Sequence, residues 1–465
     1  MIRMDVRTVA EITGGHLMQN GASVEFQGIS TDSRTLQPGE LFIPLRGEHF
    51  DGHDYLTQAI KRGAAACLSE EMIGGLLVPV VKVKDTLKAL GDLAAAVRCQ
   101  FSGPVFGITG TSGKTTCKEM LASILTSLGP GLKSAGNYNN LIGVPLTLFG
   151  LQPQHQWAVV EMGMSARGEI ARLAEIARPN IGLITNIGAG HLENFDGLSG
   201  VARAKGELFI SLPPDGIALI NVDDEEVRIL PVANSVRRVT FGFNRNADVR
   251  ADNITVHNGS VSFNLIIAGA ARRVILPLPG RHNVANALAA AAAATVTGLS
   301  MQAIVAGLES FQPCPGRMEL IELPGDVVVL EDSYNANPLS VHAALDALHD
   351  LGSPGRRIAV LADMLELGPS APELHQQIGA IIPERADWLF TYGSLAEEIA
   401  RGARDAGLED DRIFSAVNHD ELIEHLLGLL ESGDRVLIKG SRGMRMEKVT
   451  AALRASLQKQ AANGN

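Results

Sequence analysis

Cysteine is scarce in this 465-residue chain: Cys67, Cys99, Cys117 and Cys314 are the whole set. None stands in a C-x-x-C pair or at ligand spacing from a histidine, which argues against a zinc site and a disulfide framework. Four unpaired thiols fit a reducing, cytoplasmic setting. The opening Met1-Ile-Arg-Met-Asp-Val-Arg7 lacks the apolar core of a secretion signal. No apolar run reaches the ~20 residues of a membrane-spanning helix. The most apolar stretch, residues 284–296, is short, alanine-rich and contains Asn286, so it reads as a packed helix and membrane insertion is not expected. Basic tracts are missing too. Lys and Arg number 40 against 51 Asp and Glu, a net charge of −11, so a nucleic acid is not expected as a partner. There is no helicase-like basic track, no kinase H-R-D or D-F-G set, and no dinucleotide-binding G-x-G-x-x-G.

What is present is ample length and an ordinary globular balance, 46% hydrophobic and 20% charged. At ~150 residues each, about three domains are expected. The most informative stretch is Val105-Phe-Gly-Ile-Thr-Gly-Thr-Ser-Gly-Lys-Thr-Thr116. An apolar run enters a Gly-x-x-Gly-Lys-Thr loop, and Met120, Leu121, Ile124, Leu125 and Leu128 follow at helical spacing. The reading is strand, phosphate loop, helix. Gly110 and Gly113 permit a tight turn whose N–H groups, with those of Thr111, Ser112 and Thr116, point at phosphate oxygens. The helix adds its positive end. Lys114 supplies a point charge for the β/γ-phosphates and Thr115 a hydroxyl for Mg²⁺. The first glycine of G-x-x-x-x-G-K-[ST] is missing, since position 108 is Ile108 and Gly107 stands one place early. The plain alternative is a Gly-rich turn with an exposed lysine.

Residues 1–84 read as a small α/β unit with polar loops around a strand at residues 41–45. Ser33 and Arg34 lie before it, Asp51 and His53 after it. They are either solvated loop residues or a binding site in which Arg34 meets a phosphate. Residues 85–312 form the second unit, entered through an apolar helical stripe over residues 85–101. Asn137, Asn139 and Asn140 sit in one dense amide run, a turn-rich loop or a recognition loop. A strand at residues 158–160 ends in Glu161, where a phosphate-loop protein holds Mg²⁺ or its water. Another, at 181–184, leads to a glycine-rich loop and His191. A helix over residues 201–210 carries Lys205, which by its own pattern is a surface lysine. Asn258-Gly259 between alternating runs marks a hairpin, hence an antiparallel patch on a parallel sheet. His282, Asn283 and Asn286 open the alanine-rich helix and either cap it or face a nucleotide base.

Residues 313–465 alternate strands and helices in a doubly wound, Rossmann-like pattern. The fold class is therefore α/β in three domains: a small N-terminal α/β domain, a central phosphate-loop domain with a parallel sheet and antiparallel patch, and the Rossmann-like domain. Predicted strands end in polar residues, at Thr109, Glu161, Asn186, Asp332, Asp363 and Lys439, and such ends facing one another make an interdomain cleft. The residues alone imply an enzyme that uses a nucleoside triphosphate and Mg²⁺, without choosing among hydrolase, kinase and ligase.

The motifs taken together resemble the Mur ligase family over nearly the whole chain. They are Asp32-Ser-Arg34, Pro38-Gly-Glu-Leu-Phe42 and Phe50-Asp-Gly-His53; the loop at 109–116, whose short spacing is the family's G-[TS]-x-G-K-[TS]; Asn137-Tyr-Asn-Asn-Leu-Ile-Gly-Val-Pro145; Glu161-Met-Gly163; Thr185-Asn-Ile-Gly188 with His191-Leu-Glu193; and Ala204-Lys-Gly-Glu207. Further on come Gly280-Arg-His-Asn283, Gly316-Arg-Met-Glu319, Asp332-Ser-Tyr-Asn-Ala-Asn-Pro338, Asp363-Met-Leu-Glu-Leu-Gly368 and Lys439-Gly-Ser-Arg-Gly-Met-Arg-Met-Glu447. The asparagine run, the Ser-Tyr-Asn-Ala-Asn-Pro run and the last motif resemble the members that add D-alanyl-D-alanine to UDP-N-acetylmuramoyl tripeptide in peptidoglycan synthesis. The Asp-Asn-Pro-Arg motif of the diaminopimelate- or lysine-adding members is absent. Folylpolyglutamate synthetases are similar in the central domain, but not in the first-domain motifs. Gly190, where the family has alanine, is a mild departure.

The resemblance implies ATP-dependent amide-bond formation through an acyl phosphate. It implies Lys114, Glu161, His191 and Lys205 as catalytic residues, with two Mg²⁺ ions held by Thr115, Glu161, His191 and Lys205, the last carbamylated by CO₂. It implies ATP contacts from Asn283, Arg317 and Asp332 beside the loop, and UDP-substrate contacts from Ser33, Arg34, Asp51, His53 and the three asparagines. A cytoplasmic monomer is expected. The alternatives are a ligase of the same fold acting on another acid, and a non-catalytic nucleotide-gated binding protein.

Overall fold

The computed structural model describes residues 4–18, 21–73, 75–190, 192–257, 259–352 and 354–463. Three main sheets carry the chain. The largest has nine strands, in the order Ala270–Leu276, Ser260–Ile267, Val249–His257, Arg237–Gly242, Ile217–Asn221, Ile181–Ile184, Val105–Thr109, Trp157–Glu161 and Gly131–Lys133. Its first three strands pair antiparallel and the rest parallel, as the mixed pattern in the sequence implied. Asn258, half of the expected hairpin turn, lies outside the described residues. Val105–Thr109 and Trp157–Glu161 are buried throughout, as parallel strands covered on both faces must be. Register sets Ile184 beside Thr109 and Glu161 beside Ile108, so three chain segments leave the sheet at one edge and one level.

Close packing places the next layer. Gly182 and Gly107 are neighbours across two strands. A Cβ on Gly107 would lie 3.1 Å from Leu208 Cδ1, and one on Gly182 3.2 Å from Leu208 Cγ. The two glycines therefore admit the helix Gly197–Ile210 close against the sheet, and Gly107 serves packing, not the phosphate loop. On the opposite side the helix Arg281–Thr295 packs against the phosphate-loop helix Lys114–Leu125. It is buried from Val284 to Ala294 except Ala285, which suits a helix with no polar face to present.

The C-terminal sheet has six strands, ordered Glu319–Leu323, Val327–Asp332, Arg435–Lys439, Arg357–Ala362, Trp388–Tyr392 and Ile413–Ala416. All pairs are parallel except the first. The N-terminal sheet has five short strands, with Leu41–Phe42 between Ile29–Ser30 and Ala66–Ser69. The helix Thr86–Arg98, capped by Asp85 accepting from the Lys88 amide at 2.8 Å, packs against Val6–Thr13 on one side and the helices Gly143–Leu148 and Glu169–Ala177 on the other.

Candidate active site

A cavity of about 810 Å³ opens where the carboxyl ends of the central strands meet those of the C-terminal sheet. Its floor is the phosphate loop. Gly110 and Gly113 have φ of 149° and 80°, backbone that favours glycine. Space excludes a side chain as well: a Cβ on Gly110 would sit 1.9 Å from Thr185 Oγ1, and one on Gly113 2.2 Å from Asn286 Oδ1. The following segment fixes the loop's shape. Asn186 Oδ1 accepts from the Ser112 amide at 2.9 Å and its Nδ2 donates to the Ser112 carbonyl at 3.0 Å. Thr111 Oγ1 accepts from the Gly188 amide at 2.9 Å. Thr116 lines the cavity from the first helical turn.

Two lysines converge on one carbonyl. Lys114 Nζ donates to the Gly110 carbonyl at 2.7 Å, and Lys205 Nζ to the same oxygen at 3.1 Å. Lys205 is 3% exposed. Burial first, and the charge of Lys114 second, hold its pKa well below that of a free lysine. Burial also lowers that of Lys114, opposed by Glu161 and aided by Arg317.

Glu161 is the acidic centre. Its Oε2 accepts from Thr115 Oγ1 at 2.9 Å, and its Oε1 from Asn139 Nδ2 at 2.9 Å. Lys118 Nζ lies 3.5 Å from Oε2 and donates to the Ser134 carbonyl at 2.8 Å. Sequence reasoning missed Lys118, which is fully buried one helical turn after Lys114. Its spacing of four from Lys114 was the available signal. Asn140 Oδ1 accepts from the Gly143 amide at 2.8 Å, holding the loop on which Asn137 and Asn139 also line the cavity. Hydroxyl and carboxylate oxygens of Thr115 and Glu161, side by side in the cavity, are hard donors of the kind Mg²⁺ takes, with phosphates and water completing its shell. No group of three or more His, Cys, Asp and Glu suited to a metal is found among the described residues. His191 lies outside them.

The far wall comes from the C-terminal unit and from the start of the alanine-rich helix. Asn283 Nδ2 donates to the Pro279 carbonyl at 2.8 Å, and Asn286 Nδ2 to Asn283 Oδ1 at 3.1 Å. These amides therefore do not cap the helix; they face the cavity. Burial pushes the His282 pKa down to about 4. Asp332 pairs with the buried Lys439, its neighbour in register, and accepts from the Met318 amide at 3.2 Å. Arg317 lies over the Tyr334 ring, its Cζ 3.9 Å from the centroid. Asn337 reaches Ser112 Oγ at 3.2 Å, joining this wall to the phosphate loop. Asp363 is buried away from the cavity, accepting from the Leu395 amide at 3.0 Å.

Four expected substrate residues do not line this cavity. Ser33 is buried and donates to Gln58 Oε1 at 3.2 Å. Arg34 is 81% exposed and pairs with Asp32 at 2.8 Å, which holds the Asp32 carboxyl down at about 2. His53 lies 2.6 Å from Asp51 Oδ1 through Nδ1, and its Nε2 accepts from the Glu70 amide at 3.1 Å.

Three family models cover most of the chain: Mur ligase family, catalytic domain, over residues 25–98; Mur ligase middle domain over 108–294; and Mur ligase, glutamate ligase domain, over 316–442. The chain belongs to the Mur ligase family and is an ATP-dependent ligase. It is similar to the UDP-N-acetylmuramoyl-tripeptide--D-alanyl-D-alanine ligase of Escherichia coli (strain K12), 40% identical over 458 residues that cover 97% of this chain and 99% of that one. Among solved structures it matches MurF from Acinetobacter baumannii with a TM-score of 0.90, 34% identity, and coverage of 98% of this chain and 99% of that one. MurF ligase from Thermotoga maritima in complex with ADP matches with a TM-score of 0.84 and 27% identity, over 93% and 98%.

Proposed function

We propose that this enzyme joins D-alanyl-D-alanine to UDP-N-acetylmuramoyl tripeptide. The γ-phosphoryl group of ATP passes to the terminal carboxylate of the tripeptide. The dipeptide amine attacks the acyl phosphate, and the tetrahedral intermediate releases phosphate as the amide forms. The observation that carries the reading is the single cavity bounded by the phosphate loop, Glu161, Lys205 and the strand ends of the C-terminal sheet. It joins polar walls of the central and C-terminal units in one place.

The donor and the acceptor carboxylate are both anions, so neutralising their charge dominates the barrier. Lys114 and the loop amides hold the β/γ-phosphates in line. Asn283 takes the adenine side, and Arg317 and Asp332 the phosphate and ribose side. Thr115 and Glu161 are the residues that would hold Mg²⁺, with His191 and Lys205 toward a second ion. Bound there, Mg²⁺ supplies charge neutralisation at the phosphoryl oxygens. The lowered pKa of Lys205 leaves a free amine at lower pH than an exposed lysine would, as carbamylation by CO₂ requires. Carbamylation would turn a cation beside Lys114 into an anion. Residues 1–84 hold the UDP-sugar through Ser33, Arg34, Asp51 and His53, residues 85–312 the ATP, and residues 313–465 the dipeptide. The asparagines at 137, 139 and 140 face the acceptor.

Purified enzyme given ATP, Mg²⁺ and a panel of UDP-muramoyl peptides, folates and amines tests this reading. Phosphate release is expected with UDP-N-acetylmuramoyl tripeptide and D-alanyl-D-alanine together. Release with a folate instead would move the enzyme to another acid. ATP binding without amine-dependent release would leave only a nucleotide-gated binder.

A further inference from the structure

The dipeptide brings its own anion, the C-terminal carboxylate, into a cavity already crowded with negative charge. Six potentially cationic side chains of the described residues line that cavity: Lys114, Lys205, His282, Arg317, Lys439 and Arg442. Five are committed. Lys114 and Lys205 share the Gly110 carbonyl under the phosphate loop. His282 is half-buried, and desolvation holds its pKa down at about 4, so it is neutral near physiological pH. Lys439 is buried against Asp332 and donates to the Asn335 carbonyl at 2.9 Å. Arg317 is stacked on the Tyr334 ring, its Cζ 3.9 Å from the centroid, and the reading above gives it to the phosphate and ribose side.

Arg442 differs. It sits in the short helical turn Arg442–Met444, directly beyond the strand Arg435–Lys439. Its Cζ is 5.8 Å from the centroid of the Tyr334 ring that Arg317 also covers. Its side chain is 65% exposed and pairs with Glu447 at 3.3 Å. An exposed pair of that kind is worth little and exchanges readily for a better anion. A guanidinium matches a carboxylate with two parallel hydrogen bonds. Two extended residues reach about 7 Å, so a dipeptide held at the cavity rim by its carboxylate presents its amine inward.

We propose that Arg442 is the anchor for the C-terminal carboxylate of the amino substrate, and so selects a free-acid dipeptide over one with a blocked terminus. This rests on the acceptor reading above and names the residue that completes it. Glu447 holds the guanidinium in place until the dipeptide displaces it.

The test compares D-alanyl-D-alanine with its C-terminal amide, on the unaltered enzyme and on Arg442→Gln, by amine-dependent phosphate release. The unaltered enzyme is expected to lose about 10- to 100-fold in kcat/KM with the amide, the range of a charge-assisted hydrogen bond. Arg442→Gln is expected to lose a similar factor with the free acid and almost nothing further with the amide, with KM for ATP and Tm unchanged. Arg442→Lys should fall between. Equal use of acid and amide by the unaltered enzyme overturns the assignment. So does a full amide penalty that persists in Arg442→Gln, since another group then holds the carboxylate. If the unaltered enzyme releases no phosphate with either dipeptide, the acceptor reading itself fails and this assignment falls with it, an outcome distinct from the other two.

Discussion

The phosphate-loop cluster and the first-domain loops are built from similar residue types and wired over different spans of chain. Around the loop, partners come from far along the chain. Lys205 reaches Gly110 across 95 positions, Asn186 reaches Ser112 across 74, and Thr115 reaches Glu161 across 46. In the first domain the spans are shorter: Arg34 turns to Asp32 and His53 to Asp51, each two positions away, while Glu70 reaches His53 across 17 and Ser33 reaches Gln58 across 25. Distant, buried partners exist only when the whole domain is folded, and they hold a site in its working geometry before substrate arrives. Local partners stiffen a loop while leaving one face of it to exchange water for a ligand. The first kind of site is expected to fail abruptly on substitution, the second by degrees.

Removing the acid at the centre of the interlocked cluster is the strongest way to break that contrast. Glu161→Ala should lower kcat by at least ~10²- to 10³-fold while calorimetry still detects the UDP-substrate; retained turnover takes Glu161 out of the metal site. Lys205→Ala should lose a comparable factor and regain part of it with added short carboxylic acids. No rescue removes the carbamate. Lys118→Met leaves Glu161 and Glu119 without their buried cation and should cost about 3–5 kcal/mol of stability, read by denaturant unfolding. In the first domain, Arg34→Ala should raise KM for the UDP-substrate about tenfold at nearly constant kcat. A collapse of kcat there would erase the distinction between the two regions.

The smallest effect concerns pH. Lys205 binds protons less readily folded than unfolded, because its pKa is lowered from 10.5. Stability should therefore rise with pH between its folded pKa and 10.5. In CO₂-depleted buffer, Lys205→Met should raise Tm at neutral pH, and the gain should shrink as pH climbs toward 10.5. A gain independent of pH would mean that methionine packing, not charge, is responsible.

The same contrast explains what could be read in the chain before the fold was known. The phosphate loop is a local pattern, and strand, glycines and helix follow one another in sequence. Glu161 was legible because a strand visibly ended on it. Lys205 was visible only through family resemblance, since its burial depends on Gly107 and Gly182 letting its helix approach the sheet. Lys118 went unread for a related reason: its partners, Ser134, Gly136 and Glu161, arrive from other segments. Short edge strands were also missed. Gly131–Lys133 has three residues, and Glu319–Leu323 follows directly on the Gly316-Arg-Met-Glu319 turn.

The alanine-rich helix behind the phosphate loop has one further consequence. Asn286 Oδ1 occupies the space beside Gly113, while Asn283, a turn earlier on the same helix, faces the cavity. Behind them the spacing material is methyl groups, buried on nearly every side. A methyl group has no rotamers, so this spacer cannot lengthen or shorten to suit a different occupant. The gap between this helix and the phosphate loop is therefore of fixed width, and sequence drift along the helix is confined to residues of nearly the same size.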